Sequence, residues 1–507
     1  MTLKRLILIG LTLIVSLLIG LSLLDSLFQP QAQSQLELYQ TDLVLQASEW
    51  RDLETEDKTA SWQKLLGGEP IQNGLQQYNE MRRSLQKSLE QALKPDLTGG
   101  DRPPGLPPAL LKQQLAQLDL RIGLLSARAD QTQQAQQTWA TVAAESTSPR
   151  LSDSAQILAG LWSQPPRVLT QAEATLTTTL KGWFRYQALQ QLYQVQPQPE
   201  ALAKLDLAEQ AAAESAALRL AVVGGIPTLG GLFGSGLWLF WLVKTGIKTY
   251  RQQNSDPATA EAGSPIAATS VPWPSETIWQ VMVLWFTAFF GVSLAFVPLL
   301  ARLLGVTAGS VSPLIQAAFA LLTYSLLMAT GLTILYVSIR PFVAQPLTWL
   351  PLKLTGNWFW WGLAGYFAVL PLVFVVSLIN QQLLQDHGGG NPILEIILGS
   401  HDRLTIGILW FMVAVLAPVF EETLFRGFFL TSLTRYLPTW SAIALSGGVF
   451  AIAHLNLADV LPLTVLGMGL GYVYLRSGNL LASMLLHGIW NSGSFLGLLL
   501  LSSSQSG

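Results

Sequence analysis

Nine apolar stretches dominate this chain, most of them long enough to cross a bilayer, and they constrain its fold more than any other feature. They run at about Leu6–Leu24, Leu220–Val243, Trp279–Leu300, Pro313–Val337, Trp358–Ile379, Leu404–Phe420, Ala442–Leu455, Leu461–Leu475 and Leu480–Leu501. Segments this apolar bury their backbone polar groups in hydrocarbon only as helices, so the expected fold is all-α. It is a polytopic bundle of about nine transmembrane helices. Only 12% of the 507 residues are charged and the mean hydropathy is +0.39, so a bilayer is the natural solvent for much of the chain. A net charge of -2 offers no basic surface for nucleic acid. The absence of cysteine excludes disulfides, thiolate catalysis, cysteine metal sites and a prenyl-accepting residue.

Between the first and second spans the composition changes. From about Asp25 to Ala217 it is rich in Gln, Ala, Leu, Thr and Ser, and Leu111–Arg128, Thr132–Ala144 and Leu202–Leu220 carry apolar residues at helical spacing. Gly99-Gly100, Pro103-Pro104, Pro107-Pro108 and Pro165-Pro166 mark loops, and Trp139, Trp162 and Trp183 are the expected hairpin anchors. The expected organisation is a transmembrane anchor over 1–24 and a helical extracytoplasmic domain over 25–217. Accessory transmembrane helices follow over 218–400, then a separate C-terminal membrane domain over 401–507. The first span is too long for an ordinary signal peptide, although Ala32-Gln33-Ser34 offers a small-x-small cleavage pattern. Lys4 and Arg5 place the N-terminus on the cytoplasmic side. With that start, the cytoplasmic loops hold Lys244, Lys248, Arg251, Arg340, Lys353, Arg426, Arg435 and Arg476, against Arg302 and Arg403 outside. Gln252–Ser270 reads as a flexible loop on the inner side.

Ionisable side chains are costly within spans and usually face a bundle interior, and here they concentrate near the C-terminus. Glu422 and Arg426 are four residues apart, about 40° around a helix, and can pair directly. Glu421 lies about 140° from Arg426 and is left for another task. His454 closes the apolar segment beginning at Phe450, and His487 and Asn491 share one face of the last span. Taken singly, each is readable as a packing or clamping residue. Together they are the groups needed to activate water and to receive an oxyanion away from bulk solvent.

The patterns Glu421-Glu422-x-x-x-Arg426, Phe450-x-x-x-His454 and His487-x-x-x-Asn491 resemble, in order and approximate spacing, the three motifs of the CPBP family. These are the type II CAAX prenyl endopeptidases and their bacteriocin-processing relatives, also called the Abi family. The resemblance covers roughly the last fifth of the chain. It implies an intramembrane endopeptidase in which Glu421 and His454 activate water, while His487 and Asn491 stabilise the oxyanion. Glu422, Arg426 and Phe450 are then structural supports. It favours a glutamate-dependent reaction without cofactor, with zinc on Glu421, His454 and His487 as the alternative; the H-E-x-x-H spacing of helical zinc proteases is absent.

The implied substrate is a membrane protein or lipidated peptide within the bilayer, and the 25–217 domain is a candidate docking platform. A bacterial plasma membrane is the expected location. A non-catalytic scaffold or immunity protein, using the same polar residues as helix clamps, is the competing reading; a transporter would require inverted repeats that the sequence does not display. As the spans are drawn, Glu421 ends one at the inner side and His454 ends another at the outer side. The catalytic reading requires them at a common depth, in a cavity open to the cytoplasm.

Overall fold

The computed structural model describes residues 2–26, 32–51, 68–93, 107–253, 271–306, 311–343, 350–384, 396–397, 400 and 402–502. Among them all regular structure is helical. Gly99-Gly100, Pro103-Pro104 and residues 254–270 of the expected inner loop lie outside this set, while Gln252 and Gln253 are helical. The chain divides into two units, one of Met1–Gln31 with Ile226–Leu499, the other of Ala32–Gly225 with Leu500–Gly507.

In chain order the helices are α1 (Leu3–Ser26), α2 (Ala32–Ser48), α3 (Pro70–Leu93), α4 (Pro108–Arg128), α5 (Thr132–Glu145), α6 (Pro149–Leu161), α7 (Ala172–Thr179), α8 (Gly182–Val195) and α9 (Pro199–Gln253). They continue with α10 (Ser275–Leu304), α11 (Pro313–Ile339), α12 (Trp358–Leu384), α13 (Arg403–Leu433), α14 (Thr439–Ile452), α15 (Leu457–Ser477) and α16 (Leu480–Ser502). Eight of the described helices are long and apolar enough to cross a membrane, and α14 is a ninth, shorter apolar helix.

Within the Ala32–Gly225 unit most helices pack on their neighbours in sequence. Trp139 and Trp183 are fully buried in its core and Trp162 is half-buried against Trp139, with ring centroids 5.4 Å apart. The indole N–H of Trp139 donates to the carbonyl of Leu120 at 3.2 Å, which satisfies the only polar atom of that side chain. A polar group is also built into this core. Arg121 donates to the Tyr78 hydroxyl, lies 3.6 Å from Asp42, and rests over the ring of Phe184. Burial pushes the Asp42 carboxyl above its ordinary range, with the nearby Arg121 opposing that shift.

In the unit holding the spans, polar contacts tie helix ends together at two opposite faces. On one face Lys4 and Arg5 pair with Glu276 at 3.1 and 2.9 Å, joining the starts of α1 and α10. Arg435, just past α13, donates to the carbonyls of Val271 and Trp273 just before α10. Gln280 reaches Ser338 near the end of α11, and the Leu480 amide at the start of α16 donates to the carbonyl of Pro351 just before α12. On the other face the Leu457 amide, which opens α15, donates to Ser26 at the end of α1. Asn380, near the end of α12, donates to the carbonyl of Ala458. Helices α1, α10, α12, α14 and α16 therefore run one way, and α11, α13 and α15 the other.

Two features differ from the spans drawn on sequence, and both bear on depth. Helix α13 does not end at Phe420; it continues to Leu433, so Glu421, Glu422 and Arg426 lie well inside it. Arg426, assigned to a cytoplasmic loop above, is fully buried and carries no information on orientation. The acid–base pair looked like a helix end because charges usually mark one; here mutual neutralisation lets the helix carry them through. Helix α14 has 14 residues, about 21 Å of rise against a hydrocarbon core of about 30 Å. The turn after it, which carries His454, therefore stops within the bundle's depth. Leu455 then adopts a left-handed conformation (φ 55°) that turns the chain into α15.

Candidate active site

Helix α13 departs from α-geometry twice, with one π-helical segment before the acids, Met412–Leu416, and another immediately after them, Thr423–Leu430. The α-helical turn between them, Ala417–Glu422, presents the two adjacent acids. Glu422 and Arg426 form the expected pair, Oε1 to Nη1 at 2.8 Å, and both side chains are wholly buried. Arg426 also donates through Nη2 to the carbonyl of Gly467 on α15 at 2.9 Å, and its guanidinium lies 4.5 Å over the Phe450 ring of α14. That carbonyl is reachable because α14 and α15 touch backbone to backbone: a Cβ at Gly467 would sit 2.8 Å from the Cα of Gly447. One cation thus links three helices. Phe450 completes the packing, edge-on to Phe425 and to both imidazoles, at 4.9 Å from His454 and 5.7 Å from His487.

His487 on α16 stands between the two acids. Its Nδ1 is 2.9 Å from Glu422 Oε1 and its Nε2 is 3.9 Å from Glu421 Oε2. An ionised carboxylate only accepts, so Nδ1 carries a hydrogen. Glu421 takes its other contact from outside the C-terminal helices, where the Tyr324 hydroxyl of α11 donates to Oε1 at 3.2 Å. The remaining oxygen, Oε2, is buried and makes no hydrogen bond among the described residues. Tyr324 was not among the residues singled out on sequence, where every candidate site residue lies in α13 or beyond.

His454 and Asn491 are placed differently. The Nδ1 of His454 is 2.9 Å from the carbonyl of Phe450, one turn back. A carbonyl can only accept, so this contact fixes a hydrogen on Nδ1, and in the neutral ring Nε2 is then an acceptor. Among the described residues no hydrogen bond or ion pair joins His454 to Glu421. Asn491 donates through Nδ2 to the carbonyl of Val413 at 2.7 Å, in the first π-helical segment of α13. One turn earlier on α16, Gly488 lets that helix approach closely; a Cβ there would meet the Ala414 carbonyl at 2.8 Å. Glu421, Glu422, Arg426 and His487 are thus in one connected cluster. Phe450 joins it to His454, and α13 joins it to Asn491.

The zinc alternative requires Glu421, His454 and His487 as a ligand set. Among the described residues no three His, Cys, Asp or Glu side chains are grouped so as to hold a metal ion.

The family model described as type II CAAX prenyl endopeptidase Rce1-like matches residues 403–493. This segment is Rce1-like. It begins at the first residue of α13 and extends into α16, so it holds all three motifs. The Rce1-like segment does not include α11, and Tyr324 therefore enters the site from outside it. No curated protein and no solved structure matches the chain.

Proposed function

We propose that the protein is an intramembrane endopeptidase that hydrolyses a peptide bond of a membrane-embedded or membrane-anchored polypeptide. The observation that carries this reading is the buried Glu421 Oε2 without a hydrogen bond, 3.9 Å from an imidazole nitrogen. An unsatisfied buried carboxylate oxygen costs about 1–3 kcal/mol or more, so the site favours a ligand there. A water oxygen about 2.8 Å from each of two atoms fits a pair separated by that distance.

Glu421 then acts as the general base. As it takes a proton from water on Oε2, the water oxygen bonds to the scissile carbonyl carbon and the carbonyl π pair moves to oxygen. The same proton passes to the departing amide nitrogen as the C–N bond breaks. His454, with its hydrogen fixed on Nδ1, offers Nε2 to accept the water's second hydrogen. The oxyanion is assigned to His487 and Asn491. For His487 this role requires hydrogen on both ring nitrogens, because Nδ1 already donates to Glu422. Glu422, Arg426 and Phe450 hold the frame. We place the N-terminus in the cytoplasm, with α1 retained as an anchor; its ion pairs to α10 favour this over removal. The Ala32–Gly225 unit is a candidate docking platform.

One observation favours the competing scaffold reading: the Glu422–Arg426–His487 network with the Gly467 carbonyl would clamp helices whether or not any chemistry occurs. Glu421→Gln separates the two, because it keeps size and the contact with Tyr324 but removes the base. Comparing the N- and C-termini of the membrane proteome between cells carrying wild type and Glu421→Gln is the test. The peptidase reading expects specific new termini that vanish in the variant, with the protein's abundance and thermal stability unchanged. Identical termini together with full biological function in the variant would leave the scaffold.

A further inference from the structure

Among the described residues the accessory helices send one hydrogen bond to the acids, from the Tyr324 hydroxyl of α11. Helix α11 has no acidic or basic residue over Pro313–Ile339. Its threonines at 323, 330 and 333 return their hydroxyls to their own helix backbone. Tyr324 instead directs its hydroxyl across to Glu421. Its ring is packed against an apolar group formed by Ala317 of its own helix, Leu409 and Met412 of α13, and Phe495 of α16. The register of α11 on α13 is locked nearby: Gly331 lies under Phe420, where a Cβ would come within 2.8 Å of the ring. Gly331 and Tyr324 are seven residues apart, two helical turns on one face.

We propose that Tyr324 is a positioning residue for Glu421, holding one carboxylate oxygen so that the other stays aimed at the water whose proton it receives, and that α11 is therefore part of the catalytic apparatus. The inference rests on the peptidase reading above. The phenolic proton stays on Tyr324 throughout; what the contact supplies is a single orientation of the carboxylate. Without it the carboxylate plane samples a wider range about its last torsion, and a fraction of molecules aim neither oxygen at the water.

The test uses full-length protein and a peptide spanning a cleavage site found by the comparison of termini. In Tyr324→Phe, kcat should fall about tenfold, the worth of one hydrogen bond to a charged group, with KM changed less than about twofold. In the Glu421→Gln background the same substitution should change nothing further. An independent readout needs no substrate: the infrared difference between wild type and Glu421→Gln isolates the carboxylate stretch of residue 421. That band should shift in Tyr324→Phe and broaden as the group becomes free to rotate. An unchanged band together with an unchanged kcat would overturn the proposal, as would a rise in KM that accounts for the whole loss. If wild type and Glu421→Gln yield the same termini, the peptidase reading fails first; a carboxylate band that still shifts would leave Tyr324 as a partner of Glu421 without a catalytic purpose.

Discussion

Glu422 has two charged or polar partners at nearly equal distance, Arg426 at 2.8 Å and His487 at 2.9 Å, and they should differ sharply in what they contribute to stability. Arg426 is four residues away on the same helix. A transmembrane helix remains a helix when the bundle comes apart in a bilayer or micelle, so that pair persists in the unfolded reference state. Its coupling in unfolding experiments should be no more than about 0.5 kcal/mol, as for other i,i+4 pairs. His487 is on α16, and its bond is lost on unfolding. Hydrogen bonds to charged groups contribute about 1.5–3 kcal/mol in soluble proteins. Measured interhelical couplings in membranes average about 0.6 and reach about 1.7 kcal/mol. A coupling of about 1–2 kcal/mol lies between these ranges.

Double-mutant cycles with Glu422→Met, Arg426→Met and His487→Ala, measured on the full chain by reversible unfolding in bicelles, would read both terms. The single Arg426→Met variant should be the most damaging. It removes the two interhelical contacts of the guanidinium, with the Gly467 carbonyl and the Phe450 ring, for about 2–3 kcal/mol. A Glu422–Arg426 coupling larger than the Glu422–His487 coupling would refute the reasoning, because it would mean that the helical pair forms only in the assembled bundle.

Gly467→Ala should destabilise the bundle by about 1–3 kcal/mol through overpacking against Gly447, read as a lower midpoint in thermal unfolding. It should also weaken Arg426 by displacing its carbonyl acceptor. At the start of α13, the amide of Thr405 and then its hydroxyl hold the Asp402 carboxyl below its ordinary value of 3.8. A carboxyl lowered in the folded state stabilises that state above the ordinary value and ceases to do so as pH falls through the folded one. Hydrogen-exchange protection of the Thr405 amide should therefore decline on acidification below 3.8, and Asp402→Ala should remove both the protection at neutral pH and its acid dependence.

The apolar spans were legible because bilayer thickness imposes a length and composition that few other structures share. The Glu422–Arg426 pair was legible because it depends only on the local helix. What was not legible depends on contacts between helices. The continuation of α13 past Phe420 is invisible until Glu422 and Arg426 are seen to neutralise one another in a site completed by the Gly467 carbonyl of α15 and by His487 of α16. Phe450 could be read as a motif position but not as the ring on which the guanidinium rests. Tyr324 left a faint signal: a phenol near the middle of an apolar span, whereas tyrosines usually sit at the interfaces, as Tyr336 near the end of α11 does.

The two adjacent acids serve different partners because they point about 100° apart on the α-helical turn between the two π-helical segments. A π-turn lengthens the hydrogen-bonded loop and leaves carbonyls that the next amide does not claim. In α13 side chains claim them. Asn491 donates to Val413, Ser446 to Phe425, and Thr431 to Arg426 five residues back. Two of these bonds come from other helices, α16 and α14, and flank the acids on either side. The widened turns thus fix α14 and α16 to α13 through backbone acceptors, and the carboxylate of Glu421 does not have to serve as the link. Such a division keeps Oε2 unsatisfied in a folded bundle. If the second of these segments were made α-helical, by deleting one residue within 423–430, Ser446 and Thr431 should lose their backbone acceptors, read as a lower midpoint in thermal unfolding.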